Sequence, residues 1–131
     1  MPHFTLEYSA SLDAAVDIGA VCEVVRKAAV ETGVFPLGGI RVRALRCEHF
    51  AIADGRPGLG FLAMVLRIGE GRDLATRQRA GEHVFKALSD FLDPLFARSG
   101  IALSFDMQVN DSDTSWKRNN IHELMKAKAN E

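Results

Sequence analysis

The residue whose position most clearly suggests catalytic chemistry is Pro2, which directly follows Met1 and opens the strand-like run 2–8. A small second residue permits removal of the initiator methionine, and Pro2 would then carry a free secondary amine on a rigid ring. An unperturbed α-amino group titrates near ~8, and cations or partial burial lower that pKa toward the range that suits a general base. Many soluble proteins also begin Met-Pro without chemical consequence, so this feature alone leaves both interpretations open.

Three arginines are candidates for binding an acidic ligand. Arg41 and Arg43 alternate with apolar residues in the run 40–44, so the two guanidinium groups share one face of a predicted strand. Arg72 follows the Gly-Glu-Gly sequence at 69–71, at the corresponding strand end further along the chain. A guanidinium can bind a carboxylate through two parallel hydrogen bonds. The alternatives are solvated edge-strand charges at Arg41 and Arg43, and a solvated charge or a helix-start carboxylate clamp at Arg72.

Other catalytic and metal-binding patterns do not occur in the sequence. The four histidines have no metal-ligand spacing and form no HExxH motif, and there is no GxSxG motif. The glycine pair at 69–71 lacks the third glycine of a dinucleotide fingerprint and the lysine of a phosphate loop. Cys22 and Cys47 form no CxxC motif, so we expect buried free thiols rather than a disulfide. These chemistries are therefore poorly supported by the sequence.

Composition indicates one small domain with little net charge. The 131 residues are 47% hydrophobic and 25% charged, which is enough for one core and too short for two conventional domains. With 16 basic and 17 acidic residues the net charge is −1, so no global field attracts nucleic acid or an anionic membrane, and an anionic ligand must be bound locally. Neither a leader nor an apolar run of about 20 residues is present. We expect a soluble cytoplasmic protein.

The elements that must position these residues form two βαβ repeats, at about 2–48 and 59–109, joined by a connector at about 49–58. The predicted order is strand 2–8, helix 14–32, strand 40–48, strand 59–68, helix 73–97 and strand 101–109. Asp17 and Asp73 are predicted to cap the helices, Gly33 to end the first, and Pro94 to kink or shorten the second. Together the repeats predict an α+β fold: a single domain with a four-stranded mixed sheet and both helices on one face.

Each predicted helix carries one apolar stripe that should pack on the sheet. The stripe residues are Ile18, Val21, Cys22, Val25 and Ala29 in the first helix, and Val84, Leu88, Phe91, Leu92 and Leu95 in the second. The other sheet face is also expected to hold apolar residues, because the run 62–66 is nearly continuous apolar sequence, as in a strand covered on both faces. A large bare apolar face is a liability for a monomer, so we expect a homo-oligomer.

The segment at about 110–131 is predicted to be a docking arm. It begins with polar residues and then carries Trp116 and an amphipathic stretch around Ile121, Leu124 and Met125. We expect Trp116 to anchor the arm against the body of the chain or a neighbouring subunit, rather than to serve as a platform for substrate.

Five short stretches are specific when taken together. They are Pro-His-Phe at 2–4 before an acidic strand residue, Gly-Val-Phe-Pro-Leu-Gly-Gly-Ile-Arg at 33–41, Ile-Gly-Glu-Gly-Arg at 68–72, Ala-Leu-Ser-Phe at 102–105 and Asn-Asn at 119–120. In this combination the sequence resembles the 5-carboxymethyl-2-hydroxymuconate isomerase family of the tautomerase superfamily. The resemblance spans most of the chain and is loosest beyond Asp111.

The resemblance implies a tautomerase-like homotrimer whose amino-terminal proline is the catalytic base. It assigns Pro2 as base and then acid, with Arg41 and Arg72 as catalytic clamps for substrate carboxylates. Arg43 is a weaker candidate for substrate binding, and Phe35 is expected to wall the pocket. The implied substrate is a dienol polycarboxylate of homoprotocatechuate degradation, which is converted to its 2-oxo-3-ene isomer without a cofactor.

Two alternatives remain at this point. One keeps the fold and the proline base but acts on another unsaturated carboxylic acid, as a tautomerase or a dehalogenase. The other is a non-catalytic trimeric binding protein, because a fold does not by itself confer function.

Overall fold

The computed structural model describes residues 1–129, in which a four-stranded mixed sheet supports two long helices. The strands are β1 (His3–Ser9), β2 (Arg41–Cys47), β3 (Leu59–Ile68) and β4 (Gly100–Val109). The helices are α1 (Ile18–Glu31), α2 (Leu74–Phe91), α3 (Asp93–Phe96) and α4 (Ile121–Ala129). The strand order is β2-β1-β3-β4, with both outer pairs parallel and the central pair antiparallel. The predicted α+β fold of two βαβ units is confirmed.

The core lies between the two long helices and one face of the sheet. Alternate residues of the central strands are buried, and Phe4 faces Leu66 in the register while Leu6 faces Met64. The helices bury their apolar stripes against these side chains through Val21, Val25, Ala28 and Ala29 of α1 and Ala80, Val84 and Leu88 of α2. Both helices thus lie on the predicted face, and the burial of these large side chains is the main source of stability.

The two predicted aspartate caps are confirmed. The Asp17 carboxylate accepts the N–H of Ala20 at 3.2 Å, and that of Asp73 accepts the N–H of Thr76 at 2.8 Å. The predicted start of the first helix at 14 was wrong, because the chain becomes helical only after the cap at Asp17. Gly33 follows that helix with φ +67°, the left-handed conformation that favours glycine.

The second helix is interrupted where Pro94 was expected to interrupt it. α2 ends at Phe91 and the separate turn of α3 starts at Asp93, so the predicted kink or shortening at Pro94 is confirmed and only the end of the helix at 97 was wrong. The assignment of Phe91 to the buried stripe was also wrong, since it is 39% exposed. Leu88 and Leu92 lie one turn apart and fill the core, which leaves Phe91 at the margin of the stripe.

Both cysteines are free, as predicted, but they are half-buried rather than buried. Cys47 ends an edge strand and shares the uncovered sheet face with Arg41 and Arg43, which explains its partial exposure. Burial raises the pKa of the Cys22 thiol, with a smaller contribution from the charge of Glu23.

The sheet face opposite the helices carries Phe61, Ala63 and Val65 of β3, which alternate with the buried core residues and are themselves half-buried. The expected apolar residues on this face are therefore present, while the assembly that would cover them stays a prediction. Among residues 1–129, no helix is long and apolar enough to cross a membrane.

The C-terminal segment docks through its helix and not through its tryptophan. α4 packs against the 3-10 turn Leu37–Gly39, which precedes β2. Trp116 is 86% exposed, so the expectation that it anchors the arm on the body of its own chain was wrong. A contact with a neighbouring subunit stays a prediction, and the last two residues of the predicted arm, 130 and 131, lie outside the described residues.

Candidate active site

The amino-terminal end of β1 lies directly beside the loop that leads into β2. The main-chain carbonyl of Pro2 accepts the N–H of Arg41 at 3.2 Å, which continues the parallel register in which His3 pairs with Arg41. The Pro2 ring is fully buried, and a Cβ added at Gly39 would lie 3.1 Å from its Cδ atom. The glycine therefore lets the loop pass close to the proline ring and fixes its position.

The side chain of Arg41 turns from β2 toward Met1. Its Nε–H donates to the carbonyl of Gly39 at 3.3 Å, and its Nη2 lies 3.5 Å from the Met1 sulfur. The guanidinium is half-buried, and within residues 1–129 no carboxylate forms an ion pair with it. Because a guanidinium has five N–H donors, most of its hydrogen-bonding capacity remains available to an acidic ligand.

Arg72 approaches the same place from the turn after β3. Its guanidinium carbon lies 5.3 Å from the centroid of the Phe35 ring, and it donates hydrogen bonds to the carbonyls of Val34 (3.3 Å) and Gly69 (3.4 Å). Phe35 is buried and meets the ring of Phe4 edge to face at 6.2 Å. The aromatic ring is thus a rigid support that holds Arg72 in one orientation.

The C-terminal segment lies on the third side of the amino terminus, next to the loop that leads into β2. The Asn119 side-chain N–H group donates to the carbonyl of Gly38 at 2.9 Å and lies 3.1 Å from the Met1 sulfur. Its oxygen accepts the N–H of Ile121 at 2.7 Å, at the start of α4. His122, one residue further, lies so close to Gly38 that an added Cβ there would come within 2.7 Å of its main-chain nitrogen.

These elements enclose a pocket of about 320 Å³ at the amino terminus. Its lining is formed by Met1, Pro36, Gly69, Glu70, Arg72, Lys117, Asn119 and His122. Pro2 and Arg41 do not line this space: Pro2 is buried, and the guanidinium of Arg41 contacts the sulfur of the lining residue Met1. The carboxylate of Glu70 accepts the N–H of Ser112 at 2.9 Å, so it holds the C-terminal segment in place.

Positive charge dominates the electrostatics of the pocket. Burial lowers the pKa of the Met1 amino group below its ordinary value of 8.0, and the charges of Lys117, Arg72 and Arg41 lower it further, in that order. An amine at this place is therefore neutral over more of the physiological pH range, which is the state in which it can accept a proton.

Of the five predicted site residues, Arg72 lines the pocket, and Pro2 and Arg41 lie beside its lining residue Met1. Phe35 is buried beneath Arg72 and is not among the lining residues, so it does not wall the pocket as expected. The fifth, Arg43, is exposed on the uncovered sheet face, where its Nη1 lies 3.4 Å from Nδ1 of His3, and it does not line the pocket. Arg41 and Arg43 are two residues apart along β2. Their side chains therefore lie on the same face of the strand but not in the same site.

Sequence reasoning did not assign a role to Lys117, Asn119 or His122. Asn119 contributed only to the resemblance, through the Asn-Asn pair at 119–120, and His122 belongs to the four histidines without metal-ligand spacing. No local spacing could have connected Asn119 and His122 to Gly38, because these contacts join distant parts of the chain. The sequence predicted that the C-terminal segment docks, but it did not indicate the surface on which the segment docks.

A larger groove of about 470 Å³ lies between α2 and the edge strand β4. Its floor is formed by Leu103, Phe105 and Met107, and its polar groups belong mainly to α2. Neither the amino terminus nor Arg41 and Arg72 reach it, so the smaller, cationic pocket is the better candidate for binding an acidic substrate.

Comparison with known proteins agrees with this fold. Residues 2–125 match the family model for 5-carboxymethyl-2-hydroxymuconate isomerase. A 5-carboxymethyl-2-hydroxymuconate Delta-isomerase from Escherichia coli is 35% identical over 126 residues, which is 96% of this chain and 100% of that protein. A crystal structure of a 5-carboxymethyl-2-hydroxymuconate isomerase from Deinococcus radiodurans R1 superimposes with a TM-score of 0.88, at 33% identity, covering 95% and 93% of the two chains.

A more distant solved structure shares the fold alone. It is a fused 4-OT asymmetric trimer, 18% identical, with a TM-score of 0.56 and coverage of 87% of this chain and 91% of that one.

Proposed function

The chain belongs to the 5-carboxymethyl-2-hydroxymuconate isomerase family of the tautomerase superfamily. We propose that it isomerises the dienol 5-carboxymethyl-2-hydroxymuconate and that Pro2 is the catalytic base. Membership of the family makes the protein an isomerase. The observation that carries the proposal is the position of Pro2 at the end of β1, in contact with Gly39 and behind a pocket that is open to solvent and surrounded by cations.

The proposed reaction is a proton transfer along a conjugated system. The neutral amine of Pro2 accepts the proton of the 2-hydroxyl group, and the oxygen electron pair forms the 2-oxo group. The two carbon–carbon double bonds become one, between C3 and C4, and the carbon end of the system, C5, takes up the proton from the proline. Atoms and charge balance without a cofactor or co-reactant, because one group serves first as base and then as acid.

The cations have two tasks in this proposal. Arg41 and Arg72 bind substrate carboxylates through planar N–H pairs, and within the described chain neither is neutralised by an acidic side chain. Their charges also favour the dienolate that develops as the 2-hydroxyl proton leaves, which is an electrostatic contribution made where charge appears in the transition state. Phe35 supports Arg72 from below.

Met1 must be removed for this chemistry. While Met1 is attached, the nitrogen of Pro2 belongs to an amide and has no basic electron pair. The Met1 side chain also lies in the pocket, with its sulfur between Arg41 and Asn119. Removal of the methionine therefore creates the base and clears the space beside it in one step.

We further propose that the protein acts in the cytoplasm as a homotrimer in homoprotocatechuate degradation. The half-buried Phe61, Ala63 and Val65 on the uncovered sheet face support an assembly of copies. Arg43 and its neighbour His3 lie on that same face, which would place them at or near the contact between copies.

The test is the ultraviolet absorbance change of 5-carboxymethyl-2-hydroxymuconate on mixing with two preparations of the protein. In one, intact mass shows that Met1 is absent, and in the other an extended amino terminus keeps Pro2 in an amide. We expect the first alone to accelerate loss of the dienol above the uncatalysed rate. Equal acceleration by both preparations would refute Pro2 as the base. No acceleration by either would refute the substrate and favour another unsaturated acid or a non-catalytic protein.

A further inference from the structure

We propose that Lys117 is a specificity-determining residue that binds one carboxylate of the substrate at the mouth of the pocket. The inference rests on the proposed function of the same pocket, and it concerns a residue of the C-terminal segment, outside both βαβ repeats. Lys117 lines the pocket together with Arg72 and His122.

The first argument is that the chain holds this lysine from both sides. Before it, the N–H of Ser112 donates to the Glu70 carboxylate at 2.9 Å. After it, the side-chain amide of Asn119 donates to the carbonyl of Gly38 at 2.9 Å and caps the N–H of Ile121. The segment that carries Lys117 is therefore fixed to both loops that form the pocket, so its long side chain starts from a defined place.

The second argument is electrostatic. Among the residues that lower the pKa of the amino group at the end of β1, Lys117 contributes more than Arg72 or Arg41. Lys117 also lines the pocket in which Met1 lies, so this positive charge acts on the space that the substrate would occupy. Within residues 1–129 it forms no ion pair, and the acidic residue of the pocket lining, Glu70, accepts a main-chain N–H of the same segment.

The third argument is complementarity of charge. The proposed substrate has three carboxylates, since muconate is a dicarboxylate and the carboxymethyl arm adds another. The two arginines at the pocket account for two anionic groups, and Lys117 supplies a third cation from a separate element. A flexible ammonium at the mouth suits a carboxylate on a side arm, whereas the guanidinium groups nearer the proline suit rigid, planar recognition.

The kinetic test compares Lys117→Gln and Lys117→Arg with the control Arg118→Gln. Arg118 is the adjacent, exposed cation and does not line the pocket. We expect Lys117→Gln to raise KM roughly ten- to a hundredfold, as for loss of a hydrogen bond to a charged group, with kcat changed much less. Lys117→Arg should recover most of the affinity, and Arg118→Gln should behave as wild type. An unchanged KM in Lys117→Gln, or an equal loss in Arg118→Gln, would overturn the inference.

A binding measurement separates this inference from the reaction itself. Calorimetry with the unreactive propane-1,2,3-tricarboxylate is carried out on the same three variants and the wild type, all without Met1. Weaker binding by Lys117→Gln alone supports the inference even if the wild type does not turn over the dienol, a result that would refute only the proposed reaction. Absence of binding by the wild type, or equal binding by all variants, overturns the inference whatever the turnover.

Discussion

The side-chain amide of Asn119 donates a 2.9 Å hydrogen bond to the main-chain carbonyl of Gly38, across 81 residues of sequence. The same side chain caps the N–H of Ile121 at the start of α4. One residue thus joins the C-terminal helix to the loop that leads into β2, and that loop is in contact with Pro2. This pair positions the C-terminal wall of the pocket together with the hydrogen bond between Ser112 and Glu70 and the packing of α4 on the turn Leu37–Gly39.

Replacing Asn119 with alanine should release that wall. The Gly38 carbonyl and the Ile121 N–H both lose a partner, and a nine-residue helix is marginally stable without its tertiary contacts. We expect faster hydrogen–deuterium exchange in 119–127 and unchanged exchange in β1 and β3. Asn120→Ala is the matched control, because the adjacent side chain is exposed. Unchanged protection of α4 in Asn119→Ala would contradict the assigned role.

Gly38→Ala should displace α4 by sterics alone. An added Cβ would lie 2.7 Å from the main-chain nitrogen of His122, a distance that real side chains do not tolerate, so the helix must move away. Exchange of the α4 amides is again the measurement, with Gly69→Ala as control, since a Cβ at that pocket residue meets nothing within 4 Å. If the first variant keeps wild-type protection of α4, the contact between helix and loop is not as described.

The fold could be predicted from the sequence because its signals are local or periodic. The caps at Asp17 and Asp73, the glycine at 33 and the proline at 94 each mark a boundary through their own backbone chemistry. The burial of Phe91 could not be judged in this way, since a helical stripe has margins whose exposure depends on the partner surface.

The site was predictable only in part, for a related reason. Pro2, Arg41 and Arg72 stand at strand ends, and the βαβ topology brings such ends together. The contribution of the C-terminal segment depends instead on one long-range contact between polar groups. Nothing in the spacing around Lys117 indicates that it faces the amino terminus, so only the structure could assign it.

The two arginines of β2 offer a matched pair for testing carboxylate binding. Arg41 contacts Met1 beside the pocket, whereas Arg43 lies two residues away on the same strand and is exposed beside His3. In protein without Met1, we expect Arg41→Gln to lower kcat/KM by roughly a hundredfold, as for loss of two hydrogen bonds to charged groups, and Arg43→Gln to change it only a few-fold. Steady-state kinetics checks this, and equal losses in both variants would show that the site extends along the strand.

The acidic limb of the pH–rate profile should report the amine of Pro2. Only the neutral amine accepts a proton, so kcat/KM falls as the pH drops below its pKa. Burial and the charges of Lys117, Arg72 and Arg41 lower the pKa of the neighbouring Met1 amino group, and we expect the same charges to act on the amine of Pro2 and to move the limb to lower pH than an ordinary α-amino group would give.

Removing one of these charges should move the limb back. Lys117→Gln takes away the largest charge contribution, so the pKa of the amine should rise and the acidic limb should shift to higher pH, while the equivalent change at the exposed Lys126 should leave it in place. Glu70 and His122 also line the pocket, and a carboxylate or an imidazole can serve as a general base. A limb that vanishes in His122→Gln or Glu70→Gln, and is unmoved in Lys117→Gln, would belong to one of those side chains and would refute its assignment to the proline.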